Sequence, residues 1–105
     1  MAGGKIELQA PPEVLALLPG VIEVWADAAH PPGGSPCSQA AREALLELAR
    51  SLQAELELGA TALHCPRRMR ATLRQAIDWQ RARTDDTGQR ERLDRLRQAL
   101  DGGRQ

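Results

Sequence analysis

Val21-Ile22-Glu23-Val24-Trp25 sets four large or β-branched apolar residues in five consecutive positions, and its reading decides the fold. By itself the run suits a buried strand, because β-branched and aromatic side chains pack well on a pleated surface. Its flanks agree. Pro19-Gly20 closes the segment before it, and His30-Pro31-Pro32-Gly33-Gly34-Ser35 after it can continue neither helix nor ladder. With 21–25 as a strand, the alternation of Lys5-Ile6-Glu7-Leu8-Gln9 reads as a second strand. Glu55-Leu56-Glu57-Leu58 followed by Ala60 to Leu63 reads as a third, ending near His64.

Helical patterns fill the intervals. Pro11-Pro12 opens a helical turn that Pro19-Gly20 ends. Ser35-Pro36 has the cap residue and first-position proline of a helix start, and Ala41, Leu45, Leu48 and Leu52 then follow in one apolar stripe, so a helix is expected over about 36–54. Pro66 restarts a helix carrying Met69, Leu73, Ala76 and Ile77 on one face and arginines on the other. Asp86 with Gln89 resembles a capping box, and Leu93, Leu96 and Leu100 form a thin stripe over about 87–101. Strands alternating with helices argue for an α/β fold: a small, mostly parallel three-stranded sheet with a helix-rich C-terminal third. An all-helical bundle is the alternative, since 17 Ala and 15 Leu favour helix and only six Val or Ile are left for strands. A chain of 105 residues has room for one domain. Residues 1–83 are expected to form its core, and 84–105 a C-terminal helix and tail serving as an interaction arm.

Charge is balanced overall, at 14 basic and 14 acidic residues, but unevenly distributed. Residues 1–63 carry a net −5, and residues 64–83 hold six arginines against Asp78 alone. The basic segment is therefore expected to meet carboxylates, either from the acidic segment 43–57 or from a partner. Arg67, Arg70 and Arg74 share one helical face, and Arg68 adds a fourth guanidinium within the same two turns. Such a surface could also hold a nucleic-acid backbone. A sequence pI near 6.7 and the absence of Phe and Tyr disfavour that reading. No stretch approaches the roughly 18–20 apolar residues of a membrane span. Met1-Ala2-Gly3-Gly4-Lys5 has no apolar signal core, and a cytoplasmic location is expected.

Cys65, in Leu63-His64-Cys65-Pro66-Arg67-Arg68, is the residue with the most chemistry to offer. In the first turn of a helix, beside two arginines, a thiol would lose its proton more readily and act as a reactive carrier or redox regulator. Buried, it would be a small apolar filler. The segment resembles the strand-turn-Cys-Pro-helix of small sulfur-carrier proteins, although Arg68 stands where that family has a second proline, so the chain is not assigned to it. The order of Trp25-Ala26, a loop, Cys37 and a long helix is similar to the first half of a thioredoxin-like domain. That family works with paired cysteines where this chain has one, so its redox chemistry does not carry over. In a parallel sheet His30, Cys37, His64 and Cys65 would gather at one edge, but their spacing lacks a zinc half-site. No metal and no cofactor is expected.

No catalytic signature is present: the chain contains no Gly-x-Ser-x-Gly, no lysine-bearing phosphate loop and no His-Glu-x-x-His. The reading is a non-enzymatic adaptor or regulatory subunit that contacts another protein with an acidic or apolar helical surface. Its contacts are expected from the arginine-rich helix 66–83 and the leucine-striped helix 87–101. The thin stripe of Leu93, Leu96 and Leu100 suggests that the chain completes its apolar surface by self-association. The alternatives are a thiol carrier using Cys65 and a nucleic-acid backbone binder using Arg67, Arg68, Arg70 and Arg74.

Overall fold

The computed structural model describes residues 4–102. Strand β1 (Lys5–Gln9) is followed by the single-turn helix α1 (Pro12–Leu15), then α2 (Leu18–Ala29) and the long α3 (Pro36–Glu57). Strand β2 (Ala62–Pro66) leads through a 3-10 turn (Arg67–Met69) into α4 (Arg70–Arg83), and α5 (Thr87–Asp101) closes the chain. The two strands pair antiparallel, with Lys5 opposite Pro66 and Gln9 opposite Ala62. Among the described residues the chain is thus helix-rich with one two-stranded antiparallel sheet. The expected three-stranded, mostly parallel sheet does not form, and the strand pair also departs from the all-helical alternative.

The difference begins at 21–25, which lies inside α2. Leu18, Val21, Ile22 and Ala26 are buried while Gly20, Glu23, Val24 and Asp27 are exposed, a helical period running straight through Pro19-Gly20. Proline is tolerated there because it falls in the first turn, where its missing N–H has no intrahelical partner to lose. A five-residue apolar run cannot by itself distinguish strand from buried helix. The three Ala and one Asp that follow let the helix continue to Ala29.

At the other end of α3 the helix runs past the expected boundary to Glu57 and stops at Gly59. The Ala60 N–H donates to the Glu55 carbonyl and the Gly59 N–H to the Leu56 carbonyl, with Gly59 at φ +86°. This is a Schellman ending, in which glycine takes the left-handed conformation that costs other residues a steric clash. Strand β2 therefore starts later than the alternation implied and includes Cys65 and Pro66. The Lys5–Pro66 pair falls at a position where no N–H is required, and the Arg67 N–H resumes the ladder by donating to the Gly4 carbonyl.

The core is built almost wholly from aliphatic side chains. Ile6 and Leu8 of β1 and Leu63 and Cys65 of β2 point inward. They meet Leu15, Leu18, Ile22, Leu52, Leu73 and Ile77, all fully buried. Leu93, Leu96 and Leu100 belong to the same core, each at 0% exposure. Helix α5 consequently lies on α4, α1 and β1 and does not project as an arm. The extreme ends of the two expected segments, 1–3 and 103–105, lie outside the described residues.

Two capped helix starts fix the connections. The Ser35 hydroxyl accepts from the Ser38 N–H at 3.1 Å, and the Asp86 carboxylate from the Gln89 N–H at 3.1 Å, each satisfying one orphan donor of a first turn. Across the α2–α3 turn, Arg42 donates to the His30 carbonyl at 3.1 Å and pairs with Asp27 at 2.8 Å. Among the described residues no helix is long and apolar enough to cross a membrane.

Candidate functional site

Cys65 sits in a strand and faces the core, fully buried. The expectation of a cysteine at a helix start is corrected: three residues of 3-10 turn separate Pro66 from α4, so no α-helical N–H groups converge on the sulfur. Burial, aided by the nearby Glu55 carboxylate and opposed by Lys5, pushes the thiol from 9.0 up to about 12. A thiol held in its neutral form is the opposite of what a nucleophilic carrier needs. Cys37, in the first turn of α3, is exposed. His30 turns its Nδ1 to the Ser38 hydroxyl at 3.0 Å, and His64 turns its Nδ1 to Glu55 at 3.5 Å. The four His and Cys residues are not gathered at one edge, and the described residues contain no group of three or more His, Cys, Asp or Glu suited to a metal ion.

The leucine stripe is spent inside the chain. Leu93, Leu96 and Leu100 were expected at an intermolecular interface, but α5 turns them onto its own domain. They offer no free apolar surface.

The arginines divide into two groups. Along the α4–α5 seam Arg74 meets Asp101 at 2.8 Å, Arg81 meets Asp94, and Arg97 bridges Asp78 and Asp101. The hydrogen bond and charge of Asp94 hold the Arg81 guanidinium above its usual value. The carboxylates for Arg74 and Arg81 thus come from α5, not from the segment 43–57. Arg70 is half-buried at the start of α4. Arg67, Arg68 and Arg83, by contrast, form no ion pair with a described carboxylate. The shared face expected for Arg67, Arg70 and Arg74 is broken by the 3-10 turn, which places Arg67 and Arg68 before the helix starts.

Sequence reasoning passed over the most distinctive surface. Trp25 on α2 and Trp79 on α4 are the only aromatic residues in the chain. Both are partly exposed and they meet edge to face, with ring centroids 5.8 Å apart and an interplanar angle of 68°. The Arg83 guanidinium lies 4.6 Å from the centre of the Trp79 ring, a cation–π arrangement. Val24, on the same helix as Trp25, is 42% exposed. The sequence carried one clue, since Trp79 and Arg83 are four apart on one helical face. The Trp25 partner depends on the packing of α2 against α4.

No protein-family model matches this chain, and neither does a curated protein or a solved structure.

Proposed function

We propose that this chain is a non-enzymatic protein-interaction domain, an adaptor or regulatory subunit, whose contact is the outer surface of α2 and α4 around Trp25, Trp79 and Arg83. The observation that carries the reading is the placement of the only two tryptophans. The core is filled almost wholly by aliphatic side chains, and the two largest side chains meet each other at its edge, both partly exposed, with Trp25 packed against the core and an arginine over Trp79. Trp and Arg are the residue types that most often dominate binding energy at protein interfaces, because each offers a large contact area along with a directed polar group. Arg83 has no described carboxylate partner, so its charge is available to an incoming one. The partner this surface fits is a helix bearing apolar side chains with a carboxylate at its margin.

The contact retains the arginine-rich helix, whereas the leucine stripe is buried in the core and offers no surface for self-association. A photo-crosslinker placed at Ala82 in the full chain tests it. The expected result is one cross-linked partner that is lost with Trp79→Ala and with Arg83→Glu and retained with Arg90→Gln. A partner retained by both surface variants would overturn the assignment, and a cross-link between two copies would identify a second chain as the partner. The thiol-carrier reading has the buried, protonated Cys65 against it.

A further inference from the structure

Away from these tryptophans, β2 pairs with β1 along its whole length and also packs against α3. A cleft of about 290 Å³ opens there, lined by Lys5, His64, Pro66 and Arg68 on one side and by Glu47 and Ser51 of α3 on the other. It shares no residue with the Trp25–Trp79 pair. The antiparallel register puts Lys5 and His64 on the same outer face of the sheet. Arg68 follows two residues after the strand ends. Lys5 and Arg68 form no ion pair with any described residue. The guanidinium of the adjacent Arg67 lies against Gly4, 3.4 Å from where a Cβ there would sit.

Three acidic groups stand nearby; among the described residues two are paired and Glu7 is not. Glu47 pairs with Arg50 at 3.3 Å and Glu55 with the Nδ1 of His64 at 3.5 Å, which leaves the other ring nitrogen of His64 for the cleft. Glu7 stands across the ladder from His64. The cleft therefore combines two cations, an imidazole and a hydroxyl with one ion-paired carboxylate, Glu47, supplied by β1, β2, the 3-10 turn and α3.

We infer that this cleft binds a single phosphate group. A tetrahedral anion has enough oxygens to meet an ammonium, a guanidinium, an imidazole and a hydroxyl together, whereas a carboxylate has only two. The carboxylates of Glu47 in the lining and of Glu7 across the ladder from His64 repel the further charges of a polyphosphate backbone, so the fitting chemistry is a phosphate monoester. It is either free in solution or carried on a phosphorylated side chain.

The full-length, 15N-labelled chain is titrated with inorganic phosphate against chloride at equal ionic strength. A short phosphoserine peptide and its unphosphorylated twin follow. The expected result is a saturable shift of the Lys5, Ser51, His64 and Arg68 amides with a Kd of about 1 mM for inorganic phosphate. Lys5→Gln and Arg68→Gln should each weaken it about tenfold, the equivalent of one lost charge-assisted hydrogen bond, and Arg83→Gln should leave it unchanged. Tighter binding of the phosphopeptide than of free phosphate assigns the group to a partner chain, and equal or weaker binding assigns it to a small molecule. The inference is overturned by no saturable response to either probe, by variants that titrate like wild type, or by shifts spread equally over the Arg81 and Arg83 amides.

Discussion

Along the seam between α4 and α5, Arg74, Arg81 and Arg97 each meet an aspartate. At the corner where β2 turns toward α4, Arg67 and Arg68 meet none among the described residues. The residue type is the same, and the stretch that holds most of these arginines is only twenty residues long. What separates them is the neighbour. Helix α5 returns antiparallel along the flank of α4 and brings Asp94 and Asp101 within reach, while the corner faces the sheet and α3. A charge block read along a sequence is therefore not one surface. Magnitudes sort the roles within the seam as well. Its ion pairs are partly exposed, and each contributes on the order of 0–1 kcal/mol. A fully buried leucine contributes about 1.5–3 kcal/mol, so Leu93, Leu96 and Leu100 hold α5 in place and the aspartates help set its register.

The sharpest way to break this contrast is to attack the leucines. Leu96→Ala is expected to cost about 2–5 kcal/mol in urea unfolding, a large share of the stability of a domain this small. Leu96→Glu should unfold the chain rather than dissociate an oligomer. A Leu96→Ala protein of unchanged stability but reduced mass in sedimentation would mean that the stripe faces another chain after all.

The next effect is on the buried thiol under the sheet. Because the folded state raises the Cys65 pKa from 9.0 to about 12, the folded chain holds this proton more tightly than the unfolded chain does. Its contribution to stability is complete below pH 9 and is lost as pH rises from 9 toward 12. Urea midpoints measured across that window should fall for wild type and fall less for Cys65→Ala. Native alkylation at pH 8 should mark Cys37 and leave Cys65 untouched until denaturant is added. Prompt labelling of Cys65 in the native state would contradict its burial.

The smallest effects separate the two arginine groups directly. Arg74→Gln should cost no more than about 1 kcal/mol, and less still in about 1 M salt, where exposed pairs are screened. Arg68→Gln, which breaks no ion pair, should leave the urea midpoint unchanged. Equal destabilisation by the two variants would erase the distinction between seam and corner.

Much of the local structure was legible because it is governed by neighbours in sequence. Strand β1 matches its expected bounds, as does α5 over 87–101, where the Asp86 cap and the leucine stripe act within a few residues of each other. The Ser35 cap was readable for the same reason. The candidate site was less so. Cys65 and Arg68 stood out as chemical types, but Lys5, Ser51 and His64 acquire meaning only beside Arg68, and Trp25 only beside Trp79. These pairs are brought together by packing between elements that lie far apart in the chain.

The sequence by itself determined where the capped helices α3 and α5 begin, which positions are apolar, and that the charge is segregated, since capping, periodicity and composition are local properties. Only the tertiary structure decided that 21–25 is helical, because the run is apolar enough for a strand and becomes a helix by burying Leu18, Val21, Ile22 and Ala26 along one side. Tertiary packing also turned Cys65 inward and spent the α5 leucines in the core. Whether an apolar side chain is core or contact surface depends on what lies opposite it, and spacing along the chain does not specify that neighbour.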